Sequence, residues 1–225
     1  MNPILLLHGA LGSLTQLGPL KNLLEQAGRE VCSMNFSGHS GAPFREAFDI
    51  ETFSDDVLQF LDRHRLNKVD IFGYSMGGYV AVWLAHTHAG RVGKIVTLGT
   101  KFDWSPESAS MEVRKLNVEK ILEKIPAFAR ILEHRHAPND WKELLLKTSD
   151  MMLSLGNQPL ITDRTLQSIQ HEVVILLGDQ DDMADREYSK RVADVLSKGT
   201  FRLLENTSHP IEKVELNKLA PYLVS

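Results

Sequence analysis

The chain has 225 residues, of which 43% are hydrophobic and 24% are charged, and its formal net charge is −4. A chain of this length can bury one sizeable core, so we expect one α/β core with an insertion rather than two catalytic domains. The slight acidic excess gives no general attraction for nucleic acid or for an anionic membrane, and neither is expected as a partner.

The single cysteine, Cys32, has no partner for an intramolecular disulfide, which fits a reducing compartment. No Lys or Arg precedes Lys21, in contrast to a secretory signal peptide. No apolar run approaches the roughly 18 to 20 residues of a membrane span. We therefore expect a soluble, cytoplasmic protein.

Short apolar runs of the kind found in buried parallel strands alternate with helical patterns. Strands are predicted near residues 3–7, 30–36, 69–72, 94–98, 173–177 and 200–204. Helices are predicted near residues 15–27, 49–65, 76–88, 186–197 and 210–223. This alternation predicts a mostly parallel six-stranded sheet with helices on both faces.

The alternation stops between Lys101 and Gln170. This segment predicts helices alone, near residues 108–122, 126–134, 141–155 and 163–169. A long stretch without a strand, placed after the fourth strand, fits a helical cap over one edge of the sheet. We expect residues 1–100 and 171–225 to form the core domain, with residues 101–170 inserted as the cap.

The pentapeptide Gly73-Tyr74-Ser75-Met76-Gly77 lies between a predicted strand and a predicted helix. A serine on so tight a turn adopts strained backbone angles, and the flanking glycines let neighbouring backbone pass closely. Its hydroxyl is then exposed at the start of the helix. Ser75 is therefore the candidate nucleophile, although a Gly-x-Ser-x-Gly sequence also occurs by chance in inactive turns.

A serine nucleophile needs a histidine to accept its proton and a carboxylate to hold that histidine in the correct tautomer. Both residue types follow later strands. The loop after the fifth predicted strand carries Asp179, Asp181, Asp182 and Asp185, and the loop after the sixth carries His209. The chain order serine, aspartate, histidine, each after a strand, predicts a catalytic triad.

The first predicted strand leads into the loop His8-Gly9-Ala10-Leu11-Gly12. Attack on a carbonyl carbon puts negative charge on its oxygen, and two backbone N–H groups commonly stabilise that charge. We expect one donor to be the N–H of Met76, directly after the nucleophile, and the other to be the N–H of Ala10. His8 is interpreted as a structural residue of this loop.

Five motifs together resemble the α/β-hydrolase superfamily, in particular its compact serine esterases and meta-cleavage-product hydrolases. They lie at residues 7–12, 35–41, 73–78, 178–181 and 208–210, in the order typical of that superfamily. The resemblance implies the α/β-hydrolase fold and a serine hydrolase that works through an acyl-enzyme. The chain departs from the usual pattern at Asn35, where relatives have aspartate, and at His171, where they generally have proline.

The resemblance favours Asp181, the last residue of a Gly-x-x-Asp sequence, as the acid that orients the catalytic histidine. Asp179 is expected to bind loop N–H groups, whereas Asp182 and Asp185 are expected to face water or to cap the next helix. Asp103 remains an alternative acid, because some relatives take this residue from the end of the preceding strand.

The predicted cap and its entry supply candidates for the wall of a substrate pocket. They are large apolar residues: Phe102, Trp104, Phe128, Trp141, Met151, Met152 and Leu155. A methionine or aromatic residue on an amphipathic helix packs in the core more often than it lines a pocket, so packing is the competing interpretation for each of these residues.

No cofactor and no metal ion are expected. The glycines after the first strand lack the spacing of a dinucleotide-binding loop. In His86-x-His88 and in His134-x-His136, the two rings on a helix would point about 200° apart, because each residue turns the helix by about 100°. Such pairs are not expected to hold one ion.

Three functions remain open from the sequence. The leading hypothesis is a carboxylesterase-like hydrolase that acts on a small-molecule ester. The second is hydrolysis or lyase chemistry at a carbon–carbon bond on the same scaffold, with a substrate carboxylate held by Arg114, Arg130, Arg135 or Arg164. The third is a ligand-binding receptor that keeps the triad and turns over slowly. The sequence predicts neither the acyl and alcohol specificity nor the oligomeric state.

Overall fold

The computed structural model describes residues 1–224, and within them six parallel strands form one sheet. The strands are β1 (Ile4–Leu7), β2 (Val31–Ser33), β3 (Val69–Tyr74), β4 (Val92–Leu98), β5 (Val173–Gln180) and β6 (Gly199–Ser208). Their order across the sheet is β2-β1-β3-β4-β5-β6. The prediction of a six-stranded parallel sheet is confirmed, and each strand lies within a few residues of its predicted position.

Helices connect the strands and cover the sheet. They are α1 (Gly18–Gln26), α2 (Ile50–Arg63), α3 (Met76–Thr87), α4 (Pro106–Val113), α5 (Val118–Lys124), α6 (Pro126–His136), α7 (Trp141–Asn157), α8 (Asp163–Ser168), α9 (Arg186–Val195) and α10 (Ala220–Leu223). None of the helices within residues 1–224 combines the length and the apolar character needed to cross a membrane.

Both faces of the sheet are buried. Successive side chains of a strand point to opposite faces, so a strand that is covered on both sides reads as a continuous apolar run. Leu5 and Ile71 pack in a cluster with residues of α2, α3 and α9. Leu6 and Phe72 pack on the other face with residues of α1 and α10.

The chain between β4 and β5 has helices α4 to α8 and no strand in the part that the structure describes. The helix predicted over residues 108–122 is interrupted, because α4 ends at Val113 and α5 begins at Val118. The side chain of Asn117 accepts a hydrogen bond from the Lys120 N–H at 2.8 Å and caps the start of α5. The sequence pattern therefore predicted the helical character of the segment but not this break.

The helix predicted over residues 210–223 is wrong. Residues 211–213 and 216–218 form single 3₁₀ turns, and Ala220–Leu223 is a short α-helix. Four apolar side chains of this segment are buried against the sheet: Ile211, Val214, Leu219 and Leu223. Pro221 falls inside the predicted helix, where it has no N–H to donate to a helical hydrogen bond. The chain is extended at residues 214–215, and the short helix starts only at Ala220.

Candidate active site

Ser75 lies between the end of β3 and the start of α3. Its φ of 52° and ψ of −117° are unusual for a residue other than glycine, and such strain at a strand-to-helix turn is typical of a nucleophile elbow. The Ser75 N–H donates to Leu98 O at 2.8 Å, and Ser75 O accepts from the Thr100 hydroxyl at 2.9 Å. The end of β4 therefore holds this turn in place.

Gly77 lets the start of α3 pack directly against the end of β1. A Cβ atom at this position would lie 2.5 Å from the carbonyl oxygen of Leu7 and 2.7 Å from that of His8. Both distances are shorter than van der Waals contact, and the obstructing atoms are backbone. A side chain at the second glycine of the Gly-x-Ser-x-Gly sequence would therefore push the turn away from the sheet.

Asp181 and His209 follow β5 and β6, at the same edge of the sheet as Ser75. Asp181 Oδ2 lies 2.8 Å from His209 Nδ1. The Asp181 side chain is 2% exposed, and its Oδ1 accepts hydrogen bonds from the N–H groups of Met183 and Ala184 at 2.9 and 3.1 Å. The loop backbone thus fixes the carboxylate, and the carboxylate in turn fixes the imidazole.

The backbone of His209 is anchored as well. The hydroxyl of Tyr74 donates a hydrogen bond to His209 O at 3.1 Å, and burial raises the pKa of Tyr74, so this donor stays protonated. Ser75 and His209 line the same cavity. Within residues 1–224 no hydrogen bond joins these two side chains, although the catalytic histidine of a triad can reach the serine when substrate binds.

The other carboxylates considered as the acid have different partners. Asp103 Oδ2 lies 2.8 Å from Lys101 Nζ. Asp179 accepts a hydrogen bond from the backbone of β6, Asp185 caps α9, and Asp182 is exposed. Within residues 1–224, no group of three or more His, Cys, Asp or Glu side chains is arranged to hold a metal ion.

Ala10 and Met76, the residues predicted to stabilise an oxyanion, border the cavity beside Ser75. Met76 is the first residue of α3, where a backbone N–H has no acceptor in its own helix. The loop after β1 also lies against Ser75, because a Cβ atom on Gly9 would be 3.1 Å from Ser75 Cβ. Both loops therefore meet at the serine.

The cavity beside Ser75 has a volume of about 50 Å³ and a largely apolar wall. Four of the residues that the sequence suggested for the pocket line it: Trp104, Met151, Met152 and Leu155. Five further residues line the cavity and were not predicted from the sequence: Ile50, Tyr79, Lys101, Glu112 and Met183. Lys101 lies just past the end of β4, at the edge where catalytic groups gather, and that position was the one available signal.

Three aromatic residues suggested for the pocket do not line it. Phe102 is 2% exposed and packs in the main core, with its ring centroid 6.1 Å from that of Tyr79. Trp141 and Phe128 pack in a separate cluster formed by α5, α6 and α7. These rings bury apolar surface between helices, and an amphipathic pattern does not distinguish that role from a pocket wall.

A profile of the family described as alpha/beta hydrolase fold matches residues 2–132 of the chain. The matched region covers more than half of the sequence and includes β1, the Ser75 turn and β4. The chain belongs to the α/β-hydrolase fold family. The expectation drawn from the five sequence motifs is therefore confirmed at the level of the family.

Named relatives match shorter parts of this α/β hydrolase. A probable alcohol acetyltransferase of Saccharomyces cerevisiae is 36% identical over 86 residues, which are 36% of this chain and 25% of that protein. A pimeloyl-(acyl-carrier protein) methyl ester esterase of Neisseria meningitidis is 40% identical over 62 residues, which are 28% of this chain and 23% of that protein. The chain thus matches about a quarter of the length of these relatives.

A solved structure matches nearly the whole fold. It comes from a study of carboxylesterases of Nitrososphaera gargenis and superposes with a TM-score of 0.80 at 16% identity. The superposition covers 99% of this chain and 88% of the other. At this identity the likeness concerns the fold.

Three buried histidines lie behind the loop after β1. The ring centroids of His8 and His39 are 5.0 Å apart, and those of His39 and His136 are 5.8 Å apart. His8 Nδ1 lies 2.8 Å from Gly9 O, and its Nε2 accepts a hydrogen bond from the Phe36 N–H at 3.3 Å. Burial lowers the pKa of His8 and His136 to about 4 and holds that of His39 well below its ordinary value.

We expect the free energy of unfolding to fall as the pH drops from 6.5 towards 4. Each of these histidines binds a proton in the unfolded chain below pH 6.5, whereas the folded rings of His8 and His136 stay neutral until about pH 4. The stabilisation that depends on the neutral rings is therefore retained above pH 6.5, and the loss by pH 5 is on the order of 2 kcal/mol each for His8 and His136. Urea unfolding at a series of pH values measures it.

His136→Gln is the variant that tests this assignment. Glutamine can still donate to Leu11 O, the acceptor that His136 Nε2 reaches at 3.0 Å, but it does not titrate. The number of protons taken up on unfolding at acidic pH should fall by roughly one, so the free energy of unfolding should depend less steeply on pH. An identical pH dependence in the variant and the wild type would show that the ring is not held neutral.

Proposed function

We propose that this α/β hydrolase is a serine esterase that cleaves small carboxylic esters. The observation that carries the proposal is the convergence of Ser75 and the Asp181–His209 pair on one cavity at the edge of the sheet. His209 accepts the proton of Ser75 as the serine attacks the ester carbonyl. The N–H groups of Ala10 and Met76 stabilise the oxyanion.

The reaction then proceeds through an acyl-enzyme. His209 gives its proton to the leaving alcohol, and the acyl group remains on Ser75. A water molecule, deprotonated by His209, attacks the acyl carbon and releases the carboxylic acid. Asp181 stabilises the imidazolium that forms in each half of the cycle.

We further propose that residues 101–170 act as a cap on the core of residues 1–100 and 171–225. Trp104 precedes α4, Met151 and Met152 belong to α7, and all three contribute to the wall of the cavity. The cavity volume of about 50 Å³ favours a short acyl group, because pockets for drug-sized ligands have roughly 300 to 1,000 Å³.

The hypothesis of chemistry at a carbon–carbon bond required an arginine at the cavity to hold a substrate carboxylate. The four arginines suggested for a substrate carboxylate are not among the described residues that line the cavity: Arg114, Arg130, Arg135 and Arg164. The guanidinium of Arg135 is instead within 2.9 Å of Leu11 O, to which it donates a hydrogen bond.

Transfer of the acyl group to an alcohol is a second candidate function. It is favoured by the 36% identity over 86 residues with a protein named a probable alcohol acetyltransferase. The acylation step is the same, and the two functions differ in whether water or an alcohol attacks the acyl-serine. Assays in the presence of ethanol distinguish them, because transfer yields an ethyl ester and hydrolysis yields the acid.

A chromogenic assay with p-nitrophenyl acetate and butyrate tests the esterase proposal. Repeated turnover that stops when a fluorophosphonate labels Ser75 supports it. Labelling of Ser75 without turnover of esters would favour the slow receptor instead. A chain that neither turns over these esters nor reacts with the fluorophosphonate would contradict the proposed role of Ser75.

Gly99→Ala should damage both the site and the fold. Gly99 follows β4 with a φ of +60°, and a Cβ atom there would lie 2.8 Å from Asp181 Oδ2 and 3.1 Å from His209 Nδ1. A displacement of order 1 Å at catalytic groups lowers kcat/KM about 100-fold. The left-handed backbone adds a loss of about 1 to 3 kcal/mol in the free energy of unfolding.

Gly90→Ala is the matched control for this variant. No heavy atom lies within 4 Å of a Cβ atom built on Gly90, so both ester hydrolysis and urea unfolding should match the wild type. If Gly99→Ala also kept its wild-type kcat/KM, the contact between Gly99 and the Asp181–His209 pair would not matter to the reaction.

A further inference from the structure

Besides Ser75 and His209, two charged side chains line the largely apolar cavity. They are Lys101 and Glu112, whose side chains are 14% and 10% exposed. Burying a charged group in an apolar surface is costly unless it is paired. Each of the two has a partner of its own, and neither partner lines the cavity.

Lys101 has hydrogen-bonding capacity left for a ligand. Its Nζ donates to Asp103 Oδ2 at 2.8 Å and lies 5.6 Å from the ring centroid of Trp104. An ammonium group has three N–H donors, and among residues 1–224 it has one hydrogen-bond acceptor. Because Lys101 is two residues from Gly99, the position of its backbone is fixed by the same segment that contacts the Asp181–His209 pair.

Glu112 also has hydrogen-bonding capacity left for a ligand, but as an acceptor. Both of its carboxylate oxygens accept hydrogen bonds from Lys115 Nζ, at 3.0 and 2.9 Å. The Lys115 side chain is 53% exposed, whereas Glu112 lines the cavity. A carboxylate has about four lone-pair positions, so the two hydrogen bonds from Lys115 leave acceptor capacity for a ligand.

The charges of this cavity give an ionic ligand no net attraction. A substrate carboxylate would be attracted by Lys101 and repelled by Glu112, and a substrate ammonium would be attracted by Glu112 and repelled by Lys101. The ion pairs of Lys101 with Asp103 and of Glu112 with Lys115 leave the four groups with no net charge. A neutral group that accepts from an ammonium and donates to a carboxylate fits both, and a hydroxyl is the smallest such group.

We propose that Lys101 and Glu112 bind a hydroxyl group on the acyl part of the substrate, so that short hydroxyacyl esters are the preferred substrates. This assignment rests on the esterase function proposed above. The acyl part is the relevant one because it remains on Ser75 through both halves of the reaction. The cavity that encloses it is also small enough to favour a short chain.

Hydrolysis of two matched esters tests this selectivity. p-Nitrophenyl 3-hydroxybutyrate and p-nitrophenyl butyrate differ by one hydroxyl, and we expect the wild type to have about tenfold higher kcat/KM for the hydroxy ester. Lys101→Met and Glu112→Met should each bring the ratio of kcat/KM for the hydroxybutyrate to kcat/KM for the butyrate close to one. Lys124→Met, an exposed lysine of α5, should retain the full preference.

Esters with a charged acyl group test whether the cavity prefers a neutral hydroxyl. Under the proposal, the p-nitrophenyl monoester of succinate and the p-nitrophenyl ester of β-alanine are both poorer substrates than the hydroxy ester. A wild type that prefers the succinate monoester would make Lys101 an anion site and overturn the proposal. Equal kcat/KM values for the hydroxybutyrate and the butyrate would overturn it as well.

A binding measurement separates this inference from the esterase function. Calorimetry with Ser75→Ala compares methyl 3-hydroxybutyrate with methyl butyrate without any turnover, and we expect about tenfold tighter binding of the hydroxy ester. Equal affinities would overturn the hydroxyl assignment even if the wild type is an active esterase. Selective binding together with a wild type that cleaves no ester would support the hydroxyl site and contradict the esterase proposal.

Discussion

Replacing Ser75 by alanine should lower kcat for ester hydrolysis by about 10⁴ to 10⁶, the loss seen when the nucleophile of a triad is removed. The acyl-enzyme cannot form without the serine oxygen, and the remaining groups can stabilise attack by water alone. Stability should be unaffected, because the Ser75 hydroxyl makes no hydrogen bond within residues 1–224 and alanine adds no atoms. Ester kinetics and urea unfolding of the same preparation measure both effects.

Ser154→Ala is the matched control, since Ser154 is an exposed serine of α7 that does not line the cavity. It should leave kcat and stability at wild-type values. A Ser75→Ala protein that hydrolyses esters at the wild-type rate would end the proposed mechanism. A variant that loses activity only because it is unfolded would reveal itself in the urea transition.

The strands were predictable because both faces of the sheet are covered. A strand such as β5 is then a continuous apolar run, and five or six such residues between polar loops are easy to recognise. The order of strands across the sheet cannot be predicted from short sequence patterns. It depends on which strands pair over distances of tens of residues, and here β1 lies between β2 and β3.

The positions of the proposed catalytic side chains were predictable for a different reason. Ser75, Asp181 and His209 each follow a strand within one residue, so parallel topology alone brings them to one edge. The pocket wall has no such constraint. Trp104 lines the cavity, whereas Phe102, two residues earlier, packs in the main core beside Tyr79. Tertiary packing sets this difference, and a local sequence pattern does not contain it.

Asp181→Asn should lower kcat by about 10⁴ while leaving the fold intact. The reason lies in the hydrogen bonds of this side chain. Its Oδ1 accepts from the N–H groups of Met183 and Ala184, so the asparagine must place its carbonyl oxygen there. Its NH₂ group then occupies the position of Oδ2, 2.8 Å from His209 Nδ1 in the wild type.

An NH₂ group at that position forces the imidazole into the wrong tautomer. Nδ1 must then accept a hydrogen bond, which leaves the ring proton on the other nitrogen, and that nitrogen can no longer take the proton of Ser75. Asp182→Asn, at the exposed neighbouring position, changes the same charge and should keep wild-type kcat. A loss of less than tenfold in Asp181→Asn would mean that another carboxylate orients His209, and Asp103 would be the first to examine.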